Sequence, residues 1–292
     1  MQAYDVIVIG AGPAGIFTAL ELDKLMPQMR VLVVDSGSTI DNRSCPARTS
    51  SHCAHCRTCH IMNGWAGAGA FSDGKLSLSE EVGGNVTDYL PVQEVRDLIR
   101  YADDIYLKFG APDKVFGKSD KFAEQVSYEA HKHNIKLIPC PVRHMGTEYS
   151  FEVLREMYRY LSSREGFEFR EYTKADTIEI ENGRAVGVWL IGRDGERRLE
   201  KARYIVAAPG RGGAEWLTSI ARANSLQTIN NAVDIGVRVE LPAQVFEHIT
   251  DVVYESKLVY RTKGYGDQVR TFCMNPYGHV VAENVEGINT VN

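Results

Sequence analysis

The first part of the chain alternates between short apolar runs and one helical pattern. Residues 6–9 and 31–34 are continuous apolar runs, each of a length typical of a buried strand. Between them, apolar residues recur at helical spacing over 13–26, and Pro27 ends the pattern. Strand, helix and strand in this order predict the first βαβ unit of a parallel sheet.

Helical periodicity returns in the middle of the chain. Pro91 begins an amphipathic pattern that Gly110 and Pro112 end, and this pattern predicts a helix. Farther along, the sequence predicts a weaker helix over 120–133, an extended segment over 135–139, a loop over 143–147 and a helix over 151–161.

Two turns organise the next part of the chain into a β-meander. Asn182-Gly183 and Asp194-Gly195 are residue pairs typical of tight hairpin turns, which need positive φ angles. The predicted strands are 173–181, 184–191, 196–202, 204–208 and, as the start of a β-rich module, 234–240.

Glycines at the end of the first predicted strand form a dinucleotide-binding fingerprint. Gly10 allows a tight turn, Gly12 allows the backbone to approach a pyrophosphate, and Gly15 allows the helix to pack closely on the strand. Asp35 ends the second strand, twenty residues after Gly15, where a carboxylate accepts hydrogen bonds from a ribose diol. A glycine-rich turn without a ligand is the alternative interpretation.

The composition excludes several classes of protein. Hydrophobic residues make up 44% of the 292 residues, enough for one large or two smaller cores, so we do not expect disorder. The 33 basic residues are outnumbered by 38 acidic ones and form no long run, which argues against a nucleic-acid partner. A strand that starts close to Met1 leaves no room for a signal peptide, and no apolar run reaches the ~20 residues of a membrane span. We therefore expect a cytoplasmic protein.

The order of these motifs resembles the glutathione-reductase type of FAD-binding fold. A glycine fingerprint, an acid, a glycine-rich loop with the sequence GAGAFSDGK, a meander and a strand ending in APGR follow one another. More closely, the chain resembles a largely uncharacterised family of bacterial and archaeal FAD-dependent dehydrogenases. The segments that carry this resemblance are residues 67–75, 143–147, 208–213 and 234–240.

The resemblance implies an α/β fold with a doubly wound, FAD/NAD(P)-binding Rossmann-like parallel sheet and a β-meander. The FAD-binding domain would comprise residues 1–78 and 143–214, with a mainly helical insertion over 79–142 and an incomplete β-rich substrate or cap domain over 215–292. Such flavoproteins have a further glycine-rich segment near the C terminus that returns to the flavin. None precedes Asn292, so the resemblance implies C-terminal truncation.

The resemblance also implies a set of FAD contacts. The pyrophosphate would lie at a helix N-terminus, where backbone N–H groups and the helix dipole favour anions. The acid after the second strand would hold the adenosine ribose, the meander would meet the adenine, and the glycine-rich loop would pass under the pyrophosphate and the isoalloxazine. The residues are Gly10, Gly12, Pro13, Ala14 and Gly15 for the pyrophosphate, Asp35 and Ser36 for the ribose, Ala175 for the adenine, Gly67, Ala68, Gly69, Ala70 and Ser72 in the loop, and Ala208, Pro209 and Gly210, which close the cradle.

Four of the six cysteines lie between residues 45 and 59. Cys53, Cys56 and Cys59 are spaced so that their thiolates can converge on zinc or an iron–sulfur cluster, with Cys45 as a fourth ligand. The Cys-Pro pair precedes the triplet, whereas in ferredoxins it follows. Redox-active thiols that exchange electrons with the flavin, and cysteines without a function, are the alternatives.

The expected function is that of an FAD-dependent oxidoreductase, which transfers hydride or electrons between the flavin and a small-molecule substrate or an electron carrier. NAD(P)H is one candidate electron donor. The alternatives are a flavin-linked electron-transfer protein with a cysteine-bound metal centre and a non-catalytic nucleotide-binding fragment. His144 is either a catalytic or a structural histidine, and Trp65 either stacks on the flavin or packs under the loop.

Overall fold

A computed structural model describes residues 4–50, 53–71, 73–118, 121–230, 233–278, 280, 282–285 and 288–291. In these residues the helices are α1 Pro13–Leu25, α2 Ala47–Ser50, α3 Val92–Lys108, α4 Lys121–Lys132, α5 Gly146–Ser162, α6 Ala214–Ala223 and α7 Glu247–Val253. The strands are β1 Tyr4–Ile9, β2 Val31–Val34, β3 Lys75–Ser77, β4 Val115–Phe116, β5 Ile135–Ile138, β6 Val142–His144, β7 Phe167–Arg170, β8 Lys174–Glu181, β9 Arg184–Ile191, β10 Arg197–Ala207, β11 Lys257–Arg261, β12 Gln268–Arg270, β13 Ala282–Val285 and β14 Ile288–Val291.

The helices predicted over 13–26, from Pro91 and over 120–133 correspond to α1, α3 and α4, and the helix predicted over 151–161 begins earlier, as α5. No helix among the described residues is both long enough and apolar enough to cross a membrane.

Compactness divides the chain into two units. The first comprises Met1–Phe71, Leu154–Val237 and Val281–Asn292, and the second comprises Ser72–Val153 and Arg238–Val280. The predicted division into an FAD-binding domain, a helical insertion and a β-rich domain stays a prediction, because a compact unit is not the same as an independently folding domain.

A six-stranded sheet in the order β7-β2-β1-β10-β9-β8 forms the centre of the first unit. Neighbouring strands from β7 to β10 run parallel, whereas β9 and β8 return antiparallel. The predicted doubly wound Rossmann-like sheet with its β-meander is therefore confirmed. Strand β7 was not predicted from the sequence, because its alternation of apolar and charged side chains spans only four residues.

One long strand joins the meander to the parallel part of the sheet. From Arg197 to Lys201, β10 pairs with β9, and from Ala202 to Ala207 it pairs with β1. The two strands predicted over 196–202 and 204–208 are therefore a single strand. Charged residues interrupt its apolar pattern at the change of partner, where Lys201 remains exposed.

The apolar runs that predicted β1 and β2 lie in the core of the first unit. Both strands have a parallel neighbour on each side, and their residues are almost all buried, Ile7 and Leu32 completely. Parallel strands covered on both faces are apolar throughout instead of alternating. The meander contributes Ala175, Val188 and Leu190 to the same cluster.

The second unit contains two three-stranded sheets, in the orders β3-β6-β4 and β12-β11-β5, together with α3, α4 and α7. The loop predicted over 143–147 is wrong, because β6 is the central strand of its sheet and α5 begins at Gly146. The strand was not predicted because two of its three residues, Arg143 and His144, are polar. Val142 is completely buried, and Arg143 is buried in an ion pair with Asp103, with 2.5 Å between Nε and Oδ1.

The strand predicted over 234–240 is also wrong. Residues 233–242 contain neither helix nor strand, and Val233, Ile235, Val237 and Val239 are exposed. Apolar alternation gives a segment one face to bury, but a strand also needs a neighbouring backbone to which it can hydrogen-bond. Among the described residues, no strand pairs with this segment.

Candidate functional site

The backbone packs very closely where β1 turns into α1. A Cβ atom placed on Gly10, whose φ is +99°, would lie 2.1 Å from the carbonyl oxygen of Ala208. A Cβ atom on Gly15 would lie 1.9 Å from the carbonyl oxygen of Gly10. Neither position accommodates a side chain, so these two glycines fix the turn and the docking of α1 on β1.

Gly12 has an open surface instead. A Cβ atom there would have only the Cα atom of Gly67 within 4 Å, at 3.9 Å. Gly12 precedes the first turn of α1, no side chain caps that turn, and Pro13 and Ala14 are exposed. An uncapped helix N-terminus with a side-chain-free surface has the charge and the space that a pyrophosphate requires.

The glycine-rich loop lies directly on this turn. The Ala66 N–H donates to the carbonyl oxygen of Ala11 over 2.7 Å, and a Cβ atom on Gly67 would lie 3.2 Å from the Cα atom of Gly12. The loop contains a 3₁₀ turn, where the sequence had predicted only irregular backbone. Of the other predicted contacts, Ala68 and Gly69 are partly exposed, Ala70 is buried, and Ser72 lies outside the described residues.

Trp65 packs beneath the loop. Its side chain is 3% exposed, and Nε1 donates to the carbonyl oxygen of Leu154 over 2.8 Å. Its ring meets the rings of Tyr158 and Phe169 edge to face, at centroid distances of 5.1 and 5.6 Å. Of the two interpretations of Trp65, packing is the one observed.

Asp35 has more contacts than the fingerprint predicts. Its Oδ2 accepts the N–H of Ala11 over 2.9 Å, and its Oδ1 accepts the N–H groups of Gly37 and Gly64 over 2.8 and 2.7 Å. A carboxylate has about four lone-pair sites, so three amides leave about one for a ribose hydroxyl. A small pocket beside Asp35 is lined by Thr39, Tyr158, Phe169, Arg170 and Glu171.

The structure brings most of the remaining predicted FAD residues to the same place. Thr173, next to the start of β8, donates its N–H to the carbonyl oxygen of Asp35 over 2.8 Å. Ala175 follows in β8, with its side chain in the core, so only its backbone can meet a ligand. Ser36 Oγ donates to Asn63 Oδ1 over 3.2 Å. The segment of Ala208, Pro209 and Gly210 follows β10 and passes Gly10.

Arg43 organises the backbone before the glycine-rich loop, a role that no sequence pattern predicted. Its guanidinium donates to the carbonyl oxygens of His60, Ile61, Trp65 and Gly67, at 2.6 to 3.1 Å. Burial lowers the pKa of this guanidinium to about 10. A single arginine in an irregular polar stretch has no periodicity or spacing from which this role could be read.

The cysteines stay candidates for a metal site. Cys53 and Cys56 are exposed, and Cys45 and Cys59 are half-buried, all as free thiols. Among the described residues, no three histidine, cysteine, aspartate or glutamate side chains are grouped closely enough to hold a metal ion. The ligand set of Cys45, Cys53, Cys56 and Cys59 therefore remains a prediction.

His144 lies in the second unit, at the end of β6, and belongs to a polar cluster. Its Nε2 is 2.9 Å from Asp73 Oδ1 and 2.9 Å from Tyr254 Oη, and Tyr254 donates its hydroxyl proton to Asp73 Oδ2 over 2.6 Å. The imidazole and phenol rings stack at a centroid distance of 4.1 Å. The sequence suggested His144 but neither of its partners, which come from distant segments.

A second polar cluster is formed by residues that are close in sequence to those of the first cluster. Glu255 accepts hydrogen bonds from the ammonium groups of Lys75, over 2.7 Å, and of Lys257. The lysines also donate to the carbonyl oxygens of Met274 and Phe272, respectively. Burial alone would raise the pKa of Glu255, but the hydrogen bonds from the two lysines lower it. The Glu255 carboxylate therefore remains ionised although it is nearly buried.

A comparison with known protein families agrees with the geometry of the first unit. The family described as FAD binding domain matches residues 3–261, and the chain belongs to it. FAD is therefore its cofactor, as the sequence predicted. No curated protein sequence matches the chain.

Several solved structures are similar to the chain. L-amino acid deaminase from Proteus myxofaciens is 16% identical, with a TM-score of 0.40 over 72% of this chain and 46% of the deaminase. 3-Ketosteroid-Δ4-(5α)-dehydrogenase from Rhodococcus jostii RHA1 is 15% identical, with a TM-score of 0.44 over 70% and 45% of the two chains. Glycine oxidase from Geobacillus kaustophilus is 15% identical, with a TM-score of 0.42 over 78% and 60%. The chain thus spans about half the length of these proteins.

The open surface at Gly12 leads to a first prediction. Gly12→Val should weaken FAD binding by about 10- to 100-fold, because its side chain enters the space of the pyrophosphate. The free energy of unfolding should fall by no more than about 1 kcal/mol, because valine is less favourable than glycine at the N-cap of α1. Titration of FAD and urea unfolding measure the two effects. Gly236→Val, at another glycine with open space around it, is the control and should change neither quantity. Equal FAD affinity in both variants would remove Gly12 from the site.

A second prediction concerns Arg43. Arg43→Lys keeps the charge but loses the planar fork, so several buried carbonyl oxygens lose their donor. We expect the free energy of unfolding to fall by about 2–4 kcal/mol and FAD to bind more weakly. Arg222→Lys, on the exposed face of α6, is the matched control. Urea unfolding in which both variants behave alike would show that Arg43 does not hold the loop.

A third prediction tests the cysteines. If the four thiolates share a metal, anaerobically purified protein should contain near-stoichiometric zinc or iron, and Cys56→Ser should release it. Cys273→Ser, at an exposed cysteine outside the cluster, should retain the metal. Elemental analysis that finds neither metal in the wild-type protein would leave only the thiol and functionless interpretations.

Proposed function

We propose that the chain is the FAD-binding part of an oxidoreductase that transfers hydride or electrons between bound FAD and a small-molecule substrate or electron carrier. We further propose that the protein is one of the bacterial and archaeal FAD-dependent dehydrogenases that its sequence resembles. FAD, when bound, supplies the capacity to accept and return two electrons. The protein supplies binding, orientation and proton-holding groups.

The observation that carries this proposal is the side-chain-free surface at the uncapped N-terminus of α1. Gly12 and Gly67 approach each other across this surface with no side chain between them. In the proposed complex the first turn of α1 holds the pyrophosphate, and the remaining lone pair of Asp35 holds a ribose hydroxyl. The backbone beside Ala175 meets the adenine. The glycine-rich loop, fixed by Arg43 and Trp65, lies next to the pyrophosphate.

The experiment compares FAD with ADP as ligands of the 292-residue protein. An oxidoreductase must hold the isoalloxazine ring as well as the ADP half, so FAD should bind more tightly than ADP. The bound flavin should also have a reduction potential different from that of free FAD. Isothermal titration gives the two dissociation constants, and anaerobic dye equilibration gives the potential.

Gly12→Val serves as the control for binding at the proposed site, since it should weaken both ligands. Equal affinities for FAD and ADP, together with an unchanged flavin potential, would contradict the oxidoreductase. That outcome would support a nucleotide-binding protein that does no redox chemistry.

A further inference from the structure

The cluster of Asp73, His144 and Tyr254 forms a closed ring of hydrogen-bonding groups. Each of the three side chains contacts the other two, through the two carboxylate oxygens, Nε2 and Oη. Tyr254 has one hydroxyl proton, and the shortest contact, 2.6 Å, directs it to Asp73 Oδ2. Tyr254 therefore has no proton left to donate to His144.

This proton count fixes the tautomer of His144. Its Nε2 faces two oxygen acceptors, and a neutral nitrogen without a proton would repel the carboxylate. The proton of a neutral imidazole therefore lies on Nε2 and is donated to Asp73. The basic lone pair lies on Nδ1, on the other side of the ring, just as a carboxylate sets the tautomer of histidine in other proton-transfer sites.

Nδ1 is the open side of this cluster. The side chain of His144 is 23% exposed, and among the described residues no group hydrogen-bonds to Nδ1. The nearest atom to a Cβ placed on Gly146 would be His144 Cε1, at 3.9 Å, so the absence of a side chain at position 146 keeps that edge of the ring uncovered. A base that is held on one side and open on the other can reach a ligand.

The position of Tyr254 is held at the expense of backbone strain. Its φ and ψ are +54° and −64°, and the Glu255 N–H donates to the Val253 carbonyl oxygen over 2.6 Å, which closes a γ-turn. This form of γ-turn is rare and strained. Strain of this kind persists only where the surroundings enforce it, and it is concentrated at functional sites.

The surroundings of Tyr254 do enforce this conformation. Its hydroxyl is bound to Asp73 and its ring is stacked on His144, while the next residue, Glu255, is bound by Lys75 and Lys257. Burial, with the hydrogen bond to Asp73, raises the pKa of Tyr254, so the phenol stays neutral and keeps donating. The two lysines carry two positive charges, which offset the negative charges of Asp73 and Glu255. The net charge of these groups is therefore zero when His144 is neutral.

We propose that Asp73, His144 and Tyr254 form a general-base site, in which Nδ1 of His144 takes the proton of an O–H or N–H group of a small-molecule substrate. The O–H or N–H bond breaks, an N–H bond forms at Nδ1, and the carboxylate of Asp73 stabilises the imidazolium. No electrons are transferred in this step. The site rests on the proposed function, because an alcohol or amine loses such a proton when it is oxidised.

The tautomer is the first test, and it does not require FAD. Nitrogen-15 NMR of histidine-labelled protein, at a pH where the imidazole is neutral, should show His144 protonated at Nε2 and unprotonated at Nδ1. His144→Gln assigns the signal. A His144 that carries its proton on Nδ1 would overturn the proposal.

Reactivity is the second test, with diethyl pyrocarbonate as the probe. It acylates unprotonated imidazole nitrogens, so the wild-type protein should acquire an adduct on His144. Peptide mass spectrometry locates this adduct. This part of the test uses only the wild-type protein and so does not depend on the folding of a variant. Asp73→Asn should slow this acylation on the order of tenfold, because the carboxylate no longer raises the basicity of the ring. His133, exposed at the end of α4, is the internal control and should react equally in both proteins.

Absence of an adduct on His144 while His133 reacts would overturn the general base. So would equal acylation rates in the wild-type protein and in folded Asp73→Asn, as checked by circular dichroism. Loss of FAD binding would contradict the proposed function without changing either test, so the two failures can be distinguished.

Discussion

The carboxylate of Asp35 holds together three loops of the first unit that the sequence predicts to bind FAD. It accepts backbone N–H groups from Ala11, Gly37 and Gly64, which belong to three separate segments. Hydrogen bonds to a charged acceptor are stronger than those between neutral groups, so one side chain fixes the fingerprint turn, the end of β2 and the start of the glycine-rich loop. The residue that the fingerprint assigns to the ribose is therefore also the one that shapes the site.

Arg43 has the complementary effect on backbone carbonyl groups. Residues 60–67 form neither an α-helix nor a strand, so many of their polar groups lack the partners that secondary structure provides. The guanidinium supplies donors to four of their carbonyl oxygens, and Asp35 accepts the N–H of Gly64. Two buried or half-buried charges of opposite sign thus order a segment whose sequence would otherwise leave it flexible. In the proposed complex, the glycines approach FAD on a backbone that these two side chains fix.

The sequence predicted what depends on neighbours along the chain. The apolar runs of β1 and β2, the helical periods of α1, α3 and α4 and the hairpin turns at Gly183 and Gly195 are all local patterns, and each forms the predicted element. Long-range pairing was not accessible. The change of partner along β10, the central position of β6 and, among the described residues, the lack of a strand paired with residues 233–240 depend on distant strands. For the same reason, neither Arg43 nor Tyr254 could be assigned a role from its own surroundings in the sequence.

The polar interior of the second unit is hard to explain by stability alone. Lys75, Glu255 and Lys257 are charged and nearly buried, and each was removed from water at a cost that mutual attraction only partly offsets. Apolar residues of similar size often serve stability as well or better. Asp73, His144 and Tyr254 continue this network, with a strained backbone at Tyr254 and a histidine edge left open. An arrangement that gives up stability at two points and leaves a basic nitrogen uncovered is better explained by proton transfer than by folding.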